Sequence, residues 1–215
     1  MKKNLLLLCL LALCNLTLFG QNGKSPRVVR APEKSAIHLP TQEIPAGLKI
    51  IYSNFGTATD LYATIGWALS GPNSGHTEFI GMPFTPQSDS HVSEVRVAVH
   101  YLGSGANQVN LNLYSDASGA PGTLLAGPVT VTGLPEYGTC CAVAVADFPP
   151  VAVIAGTQYW VVADTPLTGT GSDFSGAWNW VVKAAPEWAQ DVDDVGWFTV
   201  PSDSLPAGGV LGTIP

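Results

Sequence analysis

The chain has 215 residues and a formal net charge of −7, with charged side chains making up only 12% of it. A body this acidic is a poor partner for nucleic acid, whose affinity comes largely from Lys and Arg on phosphates. Its 23 glycines and 17 prolines suit a many-turned β protein better than a helical bundle.

From the N-terminus, Lys2 and Lys3 precede the apolar run Leu5–Leu13, the layout of a secretory signal peptide. The run is shorter than the ~20 apolar residues of a membrane-spanning helix. Residues 1–20 are therefore expected to be cleaved, leaving an extracellular or cell-surface chain with no transmembrane segment. Residues 21–48 hold Pro26, Pro32, Pro40 and Pro45 among scattered charges and show no sustained period. They read as a flexible, Pro-rich leader.

A single domain is expected over 49–215. Short strands are predicted at 49–56, 64–69 and 78–86, the last confined to an edge or bend by Pro83 and Pro86. In 92–101, Val95, Val97 and Val99 alternate with Glu94, Arg96 and His100, so the valines should face a core and the polar set water. Val109, Leu111 and Leu113 alternate with Asn110 and Asn112 in the same way. That strand breaks at 115–122, where Asp116 and Ser115 suit a structured turn, before Leu124 and Leu125 return. Further strands are expected at 128–133, 140–147, 151–154, 158–163, 177–182 and 195–200. Outside the signal segment no long window keeps a helical apolar period. About ten short strands with Gly/Pro turns predict an all-β chain, a two-sheet, jelly-roll-like β-sandwich.

Cys9 and Cys14 fall in the signal segment, so the mature chain keeps only the adjacent Cys140 and Cys141. In an oxidising compartment these could close a disulfide on each other or on another chain; the other reading is two free thiols. Their spacing does not suggest zinc.

Several motifs occur in a fixed order: Val109-x-Leu-x-Leu-Tyr-Ser-Asp-x-x-Gly-x-Pro-Gly-x-x-Leu125, then Gly138-Thr-Cys-Cys141, then Ala155-Gly-Thr-Gln-Tyr-Trp-Val-Val162. Together with Tyr52–Gly56 and Phe84–Pro86, they resemble the choice-of-anchor R domain over about residues 50–200. The resemblance implies an exported bacterial module of unassigned biochemical role and carries over no catalytic residue. Such domains are often followed by a sorting or anchoring signal. No such motif follows Ala207–Pro215, so release, or retention by partners, is expected.

Motifs for chemistry are sparse. HExxH, GxSxG and Walker-type loops are absent. Ser88-Asp-Ser-His91 holds the residue types of a hydrolase triad, but a triad converges from separate elements, and a polar turn is the plainer reading. Asp191, Asp193 and Asp194 form the densest acidic cluster and could contribute oxygens to Ca2+, although EF-hand spacing is lacking. Trp188, flanked by Pro186, Glu187 and Gln190, is the tryptophan expected to be exposed and able to stack on a sugar ring. The expected function is a non-enzymatic, secreted or surface-associated module for adhesion, matrix or envelope interaction. Its partner would be an extracellular polysaccharide or a cell-surface protein, and no cofactor is required. The alternatives are a carbohydrate-binding module, marked by exposed aromatics beside Asn, Gln and Asp, and a secreted hydrolase.

Overall fold

The computed structural model describes residues 26–30, 43–56, 61–138, 141–182 and 187–215. The expected signal segment, most of the leader and Cys140 lie outside these residues. The strands are β1 (Val28–Arg30), β2 (Lys49–Ser53), β3 (Ile65–Ser70), β4 (Glu78–Phe84), β5 (Ser90–Val97), β6 (Val99–Ser104), β7 (Gln108–Asp116) and β8 (Pro121–Thr132). They continue as β9 (Ala144–Val153), β10 (Tyr159–Asp164), β11 (Ser175–Val182), β12 (Trp188–Val192), β13 (Phe198–Val200), β14 (Ser204–Pro206) and β15 (Gly208–Thr213). Among the described residues the one helical piece is a 3-10 turn at Pro72–Ser74, and no helix is long and apolar enough to cross a membrane.

The strands form two antiparallel sheets, a β-sandwich. Among the described residues eleven belong to a large sheet, in which β12, β4, β10, β7 and β8 lie side by side. Through Ser70 opposite Glu78 this sheet continues into β3, which carries β1 and β11. The other four strands run in the order β2–β15–β5–β9. The core lies between the sheets, where the predicted inward set (Val95, Val97, Val99, Val109, Leu111 and Leu113) is buried with Ile80, Met82, Phe84 and Val161. Each fully buried side chain of this size stabilises the fold by roughly 1.5–3 kcal/mol.

Besides β4, which lies between β12 and β10 rather than at the expected edge, and β12, which no predicted strand covers, four features depart from the sequence reading. Within the span read as a leader, Val28–Arg30 form β1 on the edge of β3. The reason is Arg27, whose Nε donates to Glu78 Oε1 at 2.8 Å and whose carbonyl accepts from the Ala68 amide at 2.8 Å. Tyr137 adds a hydroxyl donated to the Val29 carbonyl at 2.6 Å. Second, 128–133 is only the end of the twelve-residue β8, which stays paired to β7 by shifting register three times. Third, the expected strands at 140–147 and 151–154 are one strand, β9. Its Pro149 and Pro150 fall within a bulge between the Val92–Val151 and Glu94–Asp147 pairs, where no ladder donor is required. Fourth, β15 lies inside the small sheet although its glycines suggest a turn. A Cβ on Gly208 would meet Met82 Sδ at 2.7 Å, so glycine here permits close packing between the sheets.

The predicted outward residues of β5 and β6 are also buried. Glu94 and Arg96 lie side by side on the outer face of the small sheet, Arg96 Nε donating to Glu94 Oε1 at 2.5 Å, while the Glu43 carbonyl accepts from the same guanidinium at 2.9 Å. His100 is enclosed between strands and loops. Its Nδ1 lies 2.7 Å from Asn179 Oδ1 and its Nε2 3.2 Å from the Tyr62 hydroxyl.

Candidate functional site on the outer face of the large sheet

The residues singled out from sequence do not form one site. Trp188, expected to be exposed, is fully buried, its ring 4.7 Å from that of Trp67 in the core. Polar flanks misled here because β12 is paired on both sides, to β4 and to β13. The acidic cluster is divided among separate tasks. Asp191 Oδ1 accepts the Gly196 amide at 3.2 Å, and Asp193 Oδ1 accepts the Thr77 amide at 3.1 Å. Asp193 and Asp194 take φ of 53° and 57° in the turn after β12, and Asp194 is exposed. Burial, with Asp194 and Asp193 nearby, pushes the Asp191 carboxyl up despite the Gly196 amide. Among the described residues no group of three His, Cys, Asp or Glu side chains is placed to hold a metal ion.

Ser88 and Asp89 lead into β5, in which Ser90 and His91 are already paired with β9. Asp89 accepts the Ala155 amide at 2.9 Å, Ser90 donates to the Ser88 carbonyl at 2.8 Å, and His91 is exposed. Cys141 is buried and disulfide-bonded, while its neighbour Cys140 lies outside the described residues.

What the strands do bring together is a patterned outer face. Pairing places Asp191 opposite Phe79, Asp164 opposite Asn110 and Asn110 opposite Thr130, while Phe79 and Asp164 are next in register after Ile80 and Ala163. Asp191, Phe79, Asp164, Asn110 and Thr130 thus form one row across five strands, about 19 Å long at ordinary strand spacing. Two rows further along the strands, Pro83, Trp160, Tyr114 and Leu124 form a second row. Phe79, Tyr114 and Trp197 are each partly exposed. Tyr114 and Trp197 pack against Trp160, Val162 and Ala189, a small apolar cluster separate from the main core.

The polar groups are linked. Thr130 Oγ1 donates to Asn110 Oδ1, and Asn112 Nδ2 donates to Asp164 Oδ2, each at 2.9 Å. Burial pushes the Asp164 carboxyl up to about 6, against the hydrogen bonds from Asn110 and Asn112. Burial, with Asp164 close by, pushes the Tyr114 phenol up.

Asp116 positions one border of this face. It accepts from Trp160 Nε1 at 2.8 Å, Gln158 Nε2 at 2.9 Å and the Gly119 amide at 3.1 Å. Its burial would raise the carboxyl, but these donors prevail and hold it below the usual range. The turn fixed in this way brings Pro121 over Gly81, where an added Cβ would lie 3.1 Å from the proline Cγ.

Sequence reasoning missed Phe79, Tyr114 and Asp164. The legible signal was the Asn110/Asn112 alternation, which marked this face of β7. Comparison with protein-family models, characterised proteins and solved structures finds no match to the chain.

Proposed function

We propose that this chain is an exported, non-catalytic β-sandwich module for adhesion, matrix or envelope interaction, and that it binds extracellular polysaccharide across the outer face of the large sheet. The observation that carries the reading is the placing of partly exposed Phe79, Tyr114 and Trp197 on one face with Asn110, Asn112 and Asp164. Aromatic rings offer a flat apolar surface to the C–H face of a sugar, while Asn110 and Asn112, buried at 8% and 2% exposure, hold the partly exposed Asp164 carboxyl that meets the hydroxyls. A row of about 19 Å is long enough for several sugar units of an extended chain. Asp164 strengthens the reading: a carboxyl raised to about 6 by burial costs stability when ionised at neutral pH. Groups kept at such a cost concentrate where a ligand uses them. The disulfide at Cys141 supports an oxidising compartment, and the signal-like N-terminus and the resemblance to choice-of-anchor R domains point the same way.

The test is binding of the purified chain to a panel of polysaccharides, with calcium and with chelator. Saturable binding to one glycan class is expected, weakened at least tenfold by Phe79→Ala or Tyr114→Ala. Release of reducing ends from the bound glycan would overturn the non-catalytic reading. A folded chain that binds no member of the panel, or binding that neither substitution moves, would remove this face from the proposal.

A further inference from the structure

We propose that the outer face of the small sheet carries a second, independent site, an apolar pocket that takes a small, uncharged hydrophobic molecule. The pocket encloses about 240 Å3 between the start of the domain and β15, with Tyr52, Phe55, Leu61, Val143 and Leu211 in its lining. At the packing density of protein interiors that space holds roughly ten non-hydrogen atoms, the size of a two-ring aromatic hydrocarbon. Two isoleucines of its lining are left substantially in water, Ile50 at 51% and Ile44 at 46% exposure. Isoleucines are ordinarily buried, and a bound apolar molecule would cover these two.

The ligand's charge follows from Arg96, the one formally charged side chain among the described residues of the lining. Its guanidinium bonds the Glu94 carboxylate, and the Glu43 carbonyl accepts from it as well. The described residues of the lining therefore present no net charge. An anion would lose its water for an arginine whose charge is already offset, and a cation would meet that arginine. A neutral ligand avoids both costs and gains only from apolar burial.

Gly209 supplies a clean variant. A Cβ there would meet Phe55 ring carbons at 3.4 and 3.6 Å and the Tyr52 carbonyl at 3.6 Å, ordinary contact distances, so a larger side chain enters the pocket without displacing backbone. The experiment is titration of the full chain with naphthalene, 1-naphthoate and 1-naphthylammonium, followed through the isoleucine and leucine methyl resonances. Saturable naphthalene binding is expected to shift Ile44, Ile50 and Leu211, to exceed both charged analogues at least tenfold, and to vanish in Gly209→Val at unchanged melting temperature. Tighter binding of either ion would overturn the ligand class. Naphthalene binding that survives Gly209→Val, or none at all, would overturn the site. A dimer in sedimentation that Gly209→Val dissolves would assign the pocket to a second copy instead. Polysaccharide binding, measured on the same variant, should not change, which keeps the two sites separable.

Discussion

At the scale of single residues, the sequence misleads most where a polar side chain is buried. Gln190 helped make Trp188 look exposed, yet it is fully buried on the opposite side of β12 from Ala189 and Asp191, and neither its Nε2 nor its Oε1 finds a hydrogen-bond partner. The indole N–H groups of Trp67 and Trp188 are likewise unpaired. An unpaired buried amide costs about 1–3 kcal/mol relative to an apolar side chain of similar shape. Gln190→Met should therefore raise unfolding free energy by about 1 kcal/mol, read as a higher urea midpoint with unchanged slope. A lower midpoint would show that the carboxamide is satisfied in solution. Asn110 and Asn112 make a related case: alternation put them opposite the core-facing Val109, Leu111 and Leu113, but they are buried at 8% and 2% exposure rather than in water, covered by the strand β8 and the Asp164 carboxylate that engage them. Pattern reports the face a residue takes, whereas its partner depends on strands twenty and fifty-two residues away.

At the scale of elements, β5 and β7 were legible from a strict two-residue period, and β2, β3, β4, β10, β11 and β13 from short apolar runs between turn residues. Those that escaped are held by something other than alternating apolar residues. β15 was hidden because Gly208 and Gly209 look like a turn, and only the opposing sheet reveals why side chains are excluded at Gly208. β1 was hidden because three residues carry no period, and its position depends on the charge pair formed by the preceding Arg27. Arg27 is 56% exposed while Glu78 is 3% exposed, so removing the arginine strands a buried carboxylate whose one remaining side-chain donor among the described residues is the Ser70 hydroxyl, at 3.1 Å. Arg27→Ala should cost about 2 kcal/mol, less than the 3–5 kcal/mol of a fully buried pair because Arg27 stands half in water. Hydrogen exchange supplies the specific readout. The Ala68 amide, which donates to the Arg27 carbonyl, should lose protection while the β5 amides keep theirs. Equal loss in both would mean that β1 does not open on its own.

At the scale of the whole molecule, two buried groups impose opposite pH dependences. Burial holds His100 down at about 4, against its bond to Asn179, with Tyr62 and Tyr137 as its ring neighbours. Between pH 4 and its ordinary value near 6.5 the unfolded chain binds a proton that the fold refuses, so this group makes stability rise with pH. Asp164 is raised to about 6. Between its ordinary value near 4 and pH 6 the fold holds a proton that the unfolded chain has lost, so this group makes stability fall as pH rises. Each slope approaches 1.4 kcal/mol per pH unit, and over roughly pH 4.5–6 they oppose one another. The intact chain should then show urea stability flat to within about 1 kcal/mol across that window, and the flatness should be a cancellation. Asp164→Asn removes the falling component, leaving stability that climbs with pH and exceeds the parent's at pH 7. His100→Gln removes the rising component, leaving stability that declines over the same range even if the substitution lowers it throughout. Slopes of opposite sign in the two variants would establish the balance; parallel curves would show that neither group carries it. The same Asp164→Asn protein ties stability to the binding face, since it should gain stability at neutral pH while losing affinity for the polysaccharide.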